Sequence, residues 1–275
     1  MLNGFWKLSW VEIKVFIREP MGVIGALVLP VFIYVILGQT LGSGLVETPA
    51  ADAPPFNVAI LAALIIAIGA VLSLVTIITI YREGGILKRL RATPLSPVTI
   101  LSAHVFVKLV FTVLSLGALV LAGRQFFPGA IDVNLPSFAA ALLLSTLSIL
   151  SLGFVIASIV PTARFAQPIG AALLYPMIAV SGLFFPIKAL PSALRAVAYM
   201  LPTTHAVSLM QGVWDGSGWI AHWGNVVALI LVFLVCAGVS TKVFRWERGG
   251  HRPSGPLHGF FQADAPAKTS WFISA

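Results

Sequence analysis

Apolar residues in this chain form six long runs that are separated by shorter polar stretches. Each run is about 17 to 25 residues long, the length that an α-helix needs to cross the hydrocarbon of a bilayer. The runs are continuous and lack the alternation of apolar and polar residues that marks the strands of a membrane β-barrel. They cover residues 21–41, 57–80, 98–122, 138–160, 169–185 and 220–244. The pattern predicts an all-α integral membrane protein with six transmembrane helices, whose membrane domain spans 21–248.

The segment before the first run, residues 1–20, predicts an amphipathic helix that lies along the membrane surface. Its cations fall on one narrow stripe of the helix, and its indole rings lie on the neighbouring apolar face. The stripe consists of Lys7, Lys14 and Arg18, and the aromatic residues are Trp6 and Trp10. We expect this helix to act as an anchor; the alternative is that it also contributes to a docking surface for a partner.

The segment 81–97, between the second and third runs, is a dense polar island that contains four of the chain's 17 Lys and Arg residues. Gly84 and Gly85 would permit a sharp exit from the second span. The three large apolar side chains that follow share an arc of about 100° on a helix, and the cations occupy the rest of the turn. The arc is formed by Ile86, Leu87 and Leu90, and the cations are Lys88, Arg89 and Arg91. The pattern is typical of a short helix that docks into a partner; the alternative is a loop that only fixes the topology.

The segment 186–214 is too polar and too rich in proline to cross a membrane, yet it carries two short apolar helical patterns. Pro186 precedes the first pattern, Pro191 can begin it, and Pro202 separates it from the second, in which His205 lies. Because neither piece is long enough to span, we expect an external re-entrant hairpin packed against protein. The final 27 residues, 249–275, are rich in Gly, Pro and Ser and predict a disordered cytoplasmic tail.

Composition supports the membrane prediction, since the chain is 59% hydrophobic and 9% charged, with a mean hydropathy of +1.00. With the amino terminus in the cytoplasm, thirteen Lys and Arg residues lie inside and three outside. This positive-inside bias predicts that both termini and the 81–97 loop are cytoplasmic. The net charge of +8 is explained by that topology and by nearby anionic lipid, so we expect no nucleic-acid partner.

The sequence lacks several motifs and residue placements that particular classes of membrane protein need. No GxxxxGK[ST] motif for phosphate binding occurs, and none of the nine acidic residues lies within a predicted span. Ion-coupled carriers usually hold the driving ion with intramembrane carboxylates, so a secondary transporter or channel is a weaker alternative. A membrane enzyme such as a lipid-modifying transferase would need clustered Asp, Glu or His at the interface, and no metal-binding or catalytic cluster is evident. The energy for any transport is therefore expected from a partner.

His104 and Lys108 lie four residues apart in the third run, on one face of the predicted helix. One interpretation is that Lys108 extends its ammonium to the lipid headgroups. The other is that both side chains line a polar cavity.

Three segments resemble the ABC-2 type permeases, the membrane subunits of ATP-binding-cassette exporters, and particularly their drug-resistance (daunorubicin-exporter-like) group. They are REPMGVIGALVLPVFIYVILG at 18–38, YREGGILKRLRATPLSP at 81–97 and SGLFFPIKALPSALRAVAYMLPTTHAVSLMQGVW at 181–214. The resemblance covers about residues 1 to 248. The family often has Thr and Glu where Gly85 and Lys88 stand here, and the tail beyond Arg248 extends past its usual end.

The resemblance implies a six-helix exporter subunit of a bacterial or archaeal cytoplasmic membrane, with no catalytic site of its own. It also implies a second permease subunit, in a homo- or heterodimer, and two separate ATPase subunits that bind ATP and Mg²⁺; no cofactor is expected in this chain. An amphipathic small molecule, lipid or glycan would be the substrate. The segment that would couple to the ATPase consists of Arg82, Glu83, Gly84, Gly85, Ile86, Leu87, Lys88, Arg89, Leu90 and Arg91.

Overall fold

The computed structural model describes residues 2–42, 57–84, 97–127, 133–160 and 162–243, and every regular element in these ranges is a helix. A π-helical turn, Ile24–Val28, joins the second and third α-helices, and a 3-10 turn, Ile187–Ala189, precedes the eighth. The α-helices are α1 Leu2–Arg18, α2 Pro20–Val23, α3 Leu29–Gly42, α4 Val58–Glu83, α5 Pro97–Phe126, α6 Leu135–Ile159, α7 Ala163–Ala179, α8 Ser192–Met200, α9 Pro202–Trp214, α10 Gly218–Ala221 and α11 Trp223–Val243. The predicted tail, 249–275, lies outside the described residues.

Five helical segments within the described residues are long and apolar enough to cross a membrane. They are Pro20–Thr40, Ile60–Glu83, Thr99–Phe126, Leu135–Ile159 and Trp223–Ser240. The chain is therefore a multi-pass helical membrane protein, as its apolar runs predict. The remaining predicted span, the fifth along the chain at 169–185, corresponds to α7, which has 17 residues and is shorter than the other five. The count of six spans stays a prediction.

The position of α7 differs from the predicted span at 169–185, because the helix is Ala163–Ala179. It begins earlier because the carboxylate of Glu83 accepts a hydrogen bond of 2.6 Å from the backbone N–H of Ala163. An N–H in the first turn of a helix has no partner within the helix, so a carboxylate there stabilises that end. The chain then leaves the helical path before Gly182, whose φ of +90° strongly favours glycine.

The first span departs from α-helical geometry in the turn just before Pro30. Proline has no N–H to donate, and its ring clashes with the carbonyl four residues earlier, here that of Ala26. The π-helical turn Ile24–Val28 lies at this point, and Ser115 of α5 donates a hydrogen bond of 2.8 Å to the Ala26 carbonyl. A side chain from the neighbouring span thus satisfies the carbonyl that proline leaves free.

The centre of the bundle is α4, which packs against α3, α5, α6 and α7. Its spanning segment is 67% buried, whereas the first and last spans are 11% and 6% buried, so those two are peripheral. Small residues permit the close packing of α4 with α6: a Cβ on Gly153 would lie 2.9 Å from a methyl group of Val71. Small residues at the contacts between membrane helices allow the backbones to approach closely. Such close packing is needed because lipid provides little hydrophobic driving force for helix association.

The segment predicted as a re-entrant hairpin contains two short helices, α8 and α9, with a break at Leu201 and Pro202. The longer of them has 13 residues, a rise of roughly 20 Å, which is too short for hydrocarbon about 30 Å thick. Most of α9 is buried against α6 and α11, whereas α8 buries only Ala198. That the segment dips into the outer leaflet stays a prediction.

Candidate functional site

The loop predicted to dock a partner begins where α4 ends, and we call this side of the bundle the loop end. The backbone N–H of Gly84 still donates to the carbonyl of Ile80 at 2.8 Å, so α4 continues through the start of the loop. Of the ten predicted coupling residues, Arg82, Glu83 and Gly84 are described. The other seven lie outside the described residues: Gly85, Ile86, Leu87, Lys88, Arg89, Leu90 and Arg91.

Arg82 binds the carboxyl end of α6. Its guanidinium donates to the carbonyls of Ala157 at 2.9 Å and Ser158 at 3.1 Å, and also to the carbonyl of Val160. The last carbonyls of a helix lack partners within it and carry the negative end of its dipole, so a cation there is stabilising. Together with Glu83 at the start of α7, Arg82 fixes the short connection between α6 and α7 to the end of α4. We call these two side chains the loop clasp.

The inward face of α1 is centred on Ser9, Glu12 and Phe16 rather than on its tryptophans. Ser9 is 1% exposed and Phe16 8%, whereas Trp6 and Trp10 are more than half exposed. Phe16 packs on Phe111 of α5, with 4.1 Å between ring centroids. The predicted cationic stripe is exposed, and the ammonium of Lys14 lies 5.3 Å from the centre of the Trp10 ring. The helix is therefore docked along α5, with its tryptophans and basic residues on the outer side.

Glu12 joins α1 to both α4 and α5. Its carboxylate accepts a hydrogen bond of 3.0 Å from the Tyr81 hydroxyl and lies 3.3 Å from Nδ1 of His104. Burial acts to raise the pKa of the Glu12 carboxyl, but His104, Tyr81 and the charge of Lys108 together outweigh burial. They hold its pKa below the usual value of 4.5. Glu12 is therefore a carboxylate at neutral pH and clamps α1 to the bundle.

Replacing Glu12 with Gln should lower the thermal midpoint of the purified protein at pH 7 by roughly 2–10 °C. A hydrogen bond to a charged group contributes about 1.5–3 kcal/mol, and each kcal/mol shifts the midpoint of a protein this size by a few degrees. Because the folded pKa is lowered, this stabilisation is present above pH 4.5 and is lost as the pH falls through the folded pKa. Thermal unfolding followed by circular dichroism should therefore show the difference shrinking in acid. Lys7→Gln, an exposed change on the same helix, is the control; an equal difference at every pH would contradict this account.

Lys108 does not extend to the headgroups, because its side chain is almost completely buried. Its ammonium donates a hydrogen bond of 2.6 Å to the Ser73 hydroxyl and lies 4.6 Å from the centre of the Phe16 ring. Lys108 also lines a cavity, whereas His104 does not, so the second interpretation of the sequence holds for Lys108 alone.

His205 ties the two short helices at the opposite end of the bundle to α11. Its Nδ1 lies 2.9 Å from Oδ1 of Asn225, and its Nε2 lies 3.0 Å from the carbonyl of Tyr199. The prolines predicted to punctuate this segment lie at element boundaries: Pro186 precedes the 3-10 turn, Pro191 precedes α8 and Pro202 is the first residue of α9. The contacts of His205 therefore hold helices together at this end.

Across the described ranges, no three His, Cys, Asp or Glu side chains come together to hold a metal ion.

These features define a class of protein. It is a multi-pass helical membrane protein in which polar side chains connect neighbouring helices at the loop end. The chain belongs to the ABC-2 type transporter family, whose model matches residues 3–214. It is also similar to the inner membrane transport permease YhhJ of Escherichia coli (strain K12), with 27% identity over 153 residues. The same values hold for YhhJ of Shigella flexneri. The matched region is 55% of this chain and 41% of each relative.

Proposed function

We propose that this chain is the membrane subunit of an ATP-binding-cassette exporter in a bacterial or archaeal cytoplasmic membrane. In this proposal the 81–97 loop docks into a separate ATPase subunit, and two permease and two ATPase subunits form the transporter. Family membership supports a transport role, and the similar protein YhhJ, an inner membrane transport permease, agrees with it. ATP and Mg²⁺ would bind to the ATPase subunits, whose closure would move the loop.

The loop clasp is the observation that supports this mechanism most directly. A force applied to the loop must reach more than one helix if it is to change a path through the bundle. Arg82 hydrogen-bonds to the end of α6, and Glu83 to the start of α7, from the last turn of α4. We propose that α4 and the connection between α6 and α7 therefore move together when the loop is pushed.

A second contact would pass the motion to α1. Tyr81 lies one residue before the loop clasp and donates its hydroxyl hydrogen to Glu12 of α1. His104 of α5 contacts the same carboxylate and lies edge-on to the Tyr81 ring, at 5.2 Å between centroids. In this proposal α1 serves as a strut between the loop and the membrane surface, as well as an anchor.

The topology that the proposal requires can be tested by cysteine labelling. In a variant without Cys236, Ser96→Cys should be shielded from an impermeant thiol reagent in intact cells, and Asp52→Cys should be labelled. The expectation follows from the distribution of basic residues, thirteen inside against three outside. Labelling of both sites after the cells are lysed is the control for reactivity. The opposite pattern at either site would reject the topology, and with it ATPase docking to this loop.

A further inference from the structure

A cavity of about 430 Å³ lies between the end of α1, the π-helical turn and helices α4, α5 and α7. Two of the residues that line it, Gly25 and Gly69, are glycines with open space beside them. A Cβ added to Gly25 or to Gly69 would have no other atom within 4 Å. The volume is within the roughly 300–1,000 Å³ range of sites for small molecules.

Several residues that line the cavity are exposed on the outside of the bundle, and most of these exposed residues are apolar or aromatic, whereas Glu19 and Gln167 are polar. Met21, Ile80 and Tyr175 line the cavity, and their side chains are 79%, 41% and 57% exposed. Exposed apolar residues on the spans of a membrane protein face lipid or another protein chain. A ligand could therefore enter this cavity from the adjoining lipid leaflet without crossing water.

Among the described residues that line the cavity, one is a cation, Lys108. The Lys108 ammonium has three N–H groups, and among the described residues it has one hydrogen-bond acceptor, the hydroxyl of Ser73. Of the nearby acids, Glu12 already accepts from Tyr81 and lies against His104. An anionic group on a ligand would find a buried donor at Lys108.

Three hydroxyls of the wall accept hydrogen bonds rather than donate them, whereas the Gln167 amide and the Tyr175 hydroxyl, which also line the cavity, can donate as well as accept. Thr76 and Thr112 each donate their hydroxyl hydrogen to a backbone carbonyl of their own helix, and Ser115 donates to the carbonyl of Ala26. Because these hydroxyl hydrogens are already used, the three oxygens can only accept a hydrogen bond from a ligand. Glu19, an exposed acid that lines the cavity, adds a carboxylate. A ligand that complements this set has an ammonium group besides its anionic group.

We propose that the cavity binds a zwitterionic amphiphile from the membrane leaflet at the loop end. The anionic group lies at Lys108, the ammonium lies at Glu19, and the first part of the apolar chain lies against Gly25 and Gly69. That such a molecule is also the exported substrate rests on the proposed function, whereas its binding does not.

The test uses the full-length chain in detergent, without ATPase or ATP, and calorimetric titration with short-chain lipids. Dihexanoyl phosphatidylethanolamine has both charges, and dihexanoyl phosphatidylglycerol has only the anionic one. Gly69→Val should fill the cavity and weaken binding of the zwitterionic lipid at least about tenfold. Gly117→Val is the matched control, because Gly117 also has open space around its Cβ position but does not line the cavity.

Charge variants separate the two ends of the ligand. Glu19→Gln should weaken binding of phosphatidylethanolamine several-fold and leave phosphatidylglycerol unchanged, and Lys108→Met should weaken both. Equal binding by Gly69→Val and the wild type would overturn the proposal, as would equal loss of both lipids in Glu19→Gln. Efficient disulfide formation between two copies through Met21→Cys and Tyr175→Cys, with no lipid bound, would show that a second chain fills the cavity and would also overturn it. Binding as expected, but no ATP-driven lipid movement by the assembled complex, would reject the export role and leave the site intact.

Discussion

Replacing both Leu87 and Leu90 with Asp should abolish assembly with the ATPase, and with it transport, while the permease still inserts into the membrane. The sequence predicts that these leucines and Ile86 form an apolar arc on a short helix of the loop. Burying each such side chain in a partner groove stabilises a complex by about 1.5–3 kcal/mol at most. Exposed charge pairs around them add about 0–1 kcal/mol each. Two buried carboxylates would therefore remove most of the docking energy and add a desolvation cost.

The experiment is co-purification of the ATPase with a tagged permease, together with a transport assay in membrane vesicles. Leu87→Met with Leu90→Met is the matched control, because it keeps the apolar volume and should assemble normally. Arg89→Ala should still form the complex, which should weaken as salt is raised, because surface ion pairs are screened. If the double Asp variant co-purified with its ATPase and transported normally, the loop would be only a topology signal.

The sequence predicts the helical spans well, because the length and hydropathy of an apolar run are local properties. Four predicted runs correspond closely to long helices, and the first corresponds to a span with a π-helical turn before Pro30. The fifth run was misplaced by six residues at each end. The start of α7 depends on a hydrogen bond from Ala163 to Glu83, 80 positions away, and hydropathy contains no information about such a contact.

The candidate site was predicted only in part, for the same reason. The family resemblance places Arg82 and Glu83 in the segment that would couple to the ATPase, and it gives no sign that their side chains bind α6 and α7 of the same chain. The helical pattern of residues 1–20 drew attention to Trp6 and Trp10, which are exposed, and gave no special weight to Glu12 and Phe16. A lone acid on an amphipathic helix is usually solvated. Only the pairing with Tyr81 and His104 reveals Glu12 as a contact between helices.

Replacing Arg82 with Ala should uncouple ATP hydrolysis from transport without preventing assembly. The apolar arc that would dock into the ATPase remains, so co-purification and ATPase activity of the complex should persist. The carbonyls at the end of α6 lose their cation, however, while the hydrogen bond from Ala163 to Glu83 remains. Hydrogen bonds to a charged group contribute about 1.5–3 kcal/mol each to the stability of the contact between helices. We therefore expect the loss of even one of them to lower transport roughly tenfold or more.

Two other arginine variants show whether the effect belongs to the loop clasp. Arg82→Lys keeps the charge but cannot reach several carbonyls with one planar fork, so it should transport at an intermediate rate. Arg124→Ala removes an exposed arginine from the last turn of α5, at the opposite end of the bundle, and should leave transport unchanged. The measured quantity is the number of substrate molecules moved per ATP hydrolysed in reconstituted vesicles. If Arg82→Ala lowered ATP hydrolysis and transport in equal proportion, Arg82 would stabilise the bundle without transmitting the motion of the ATPase, since a transmitting residue must change the ratio of the two.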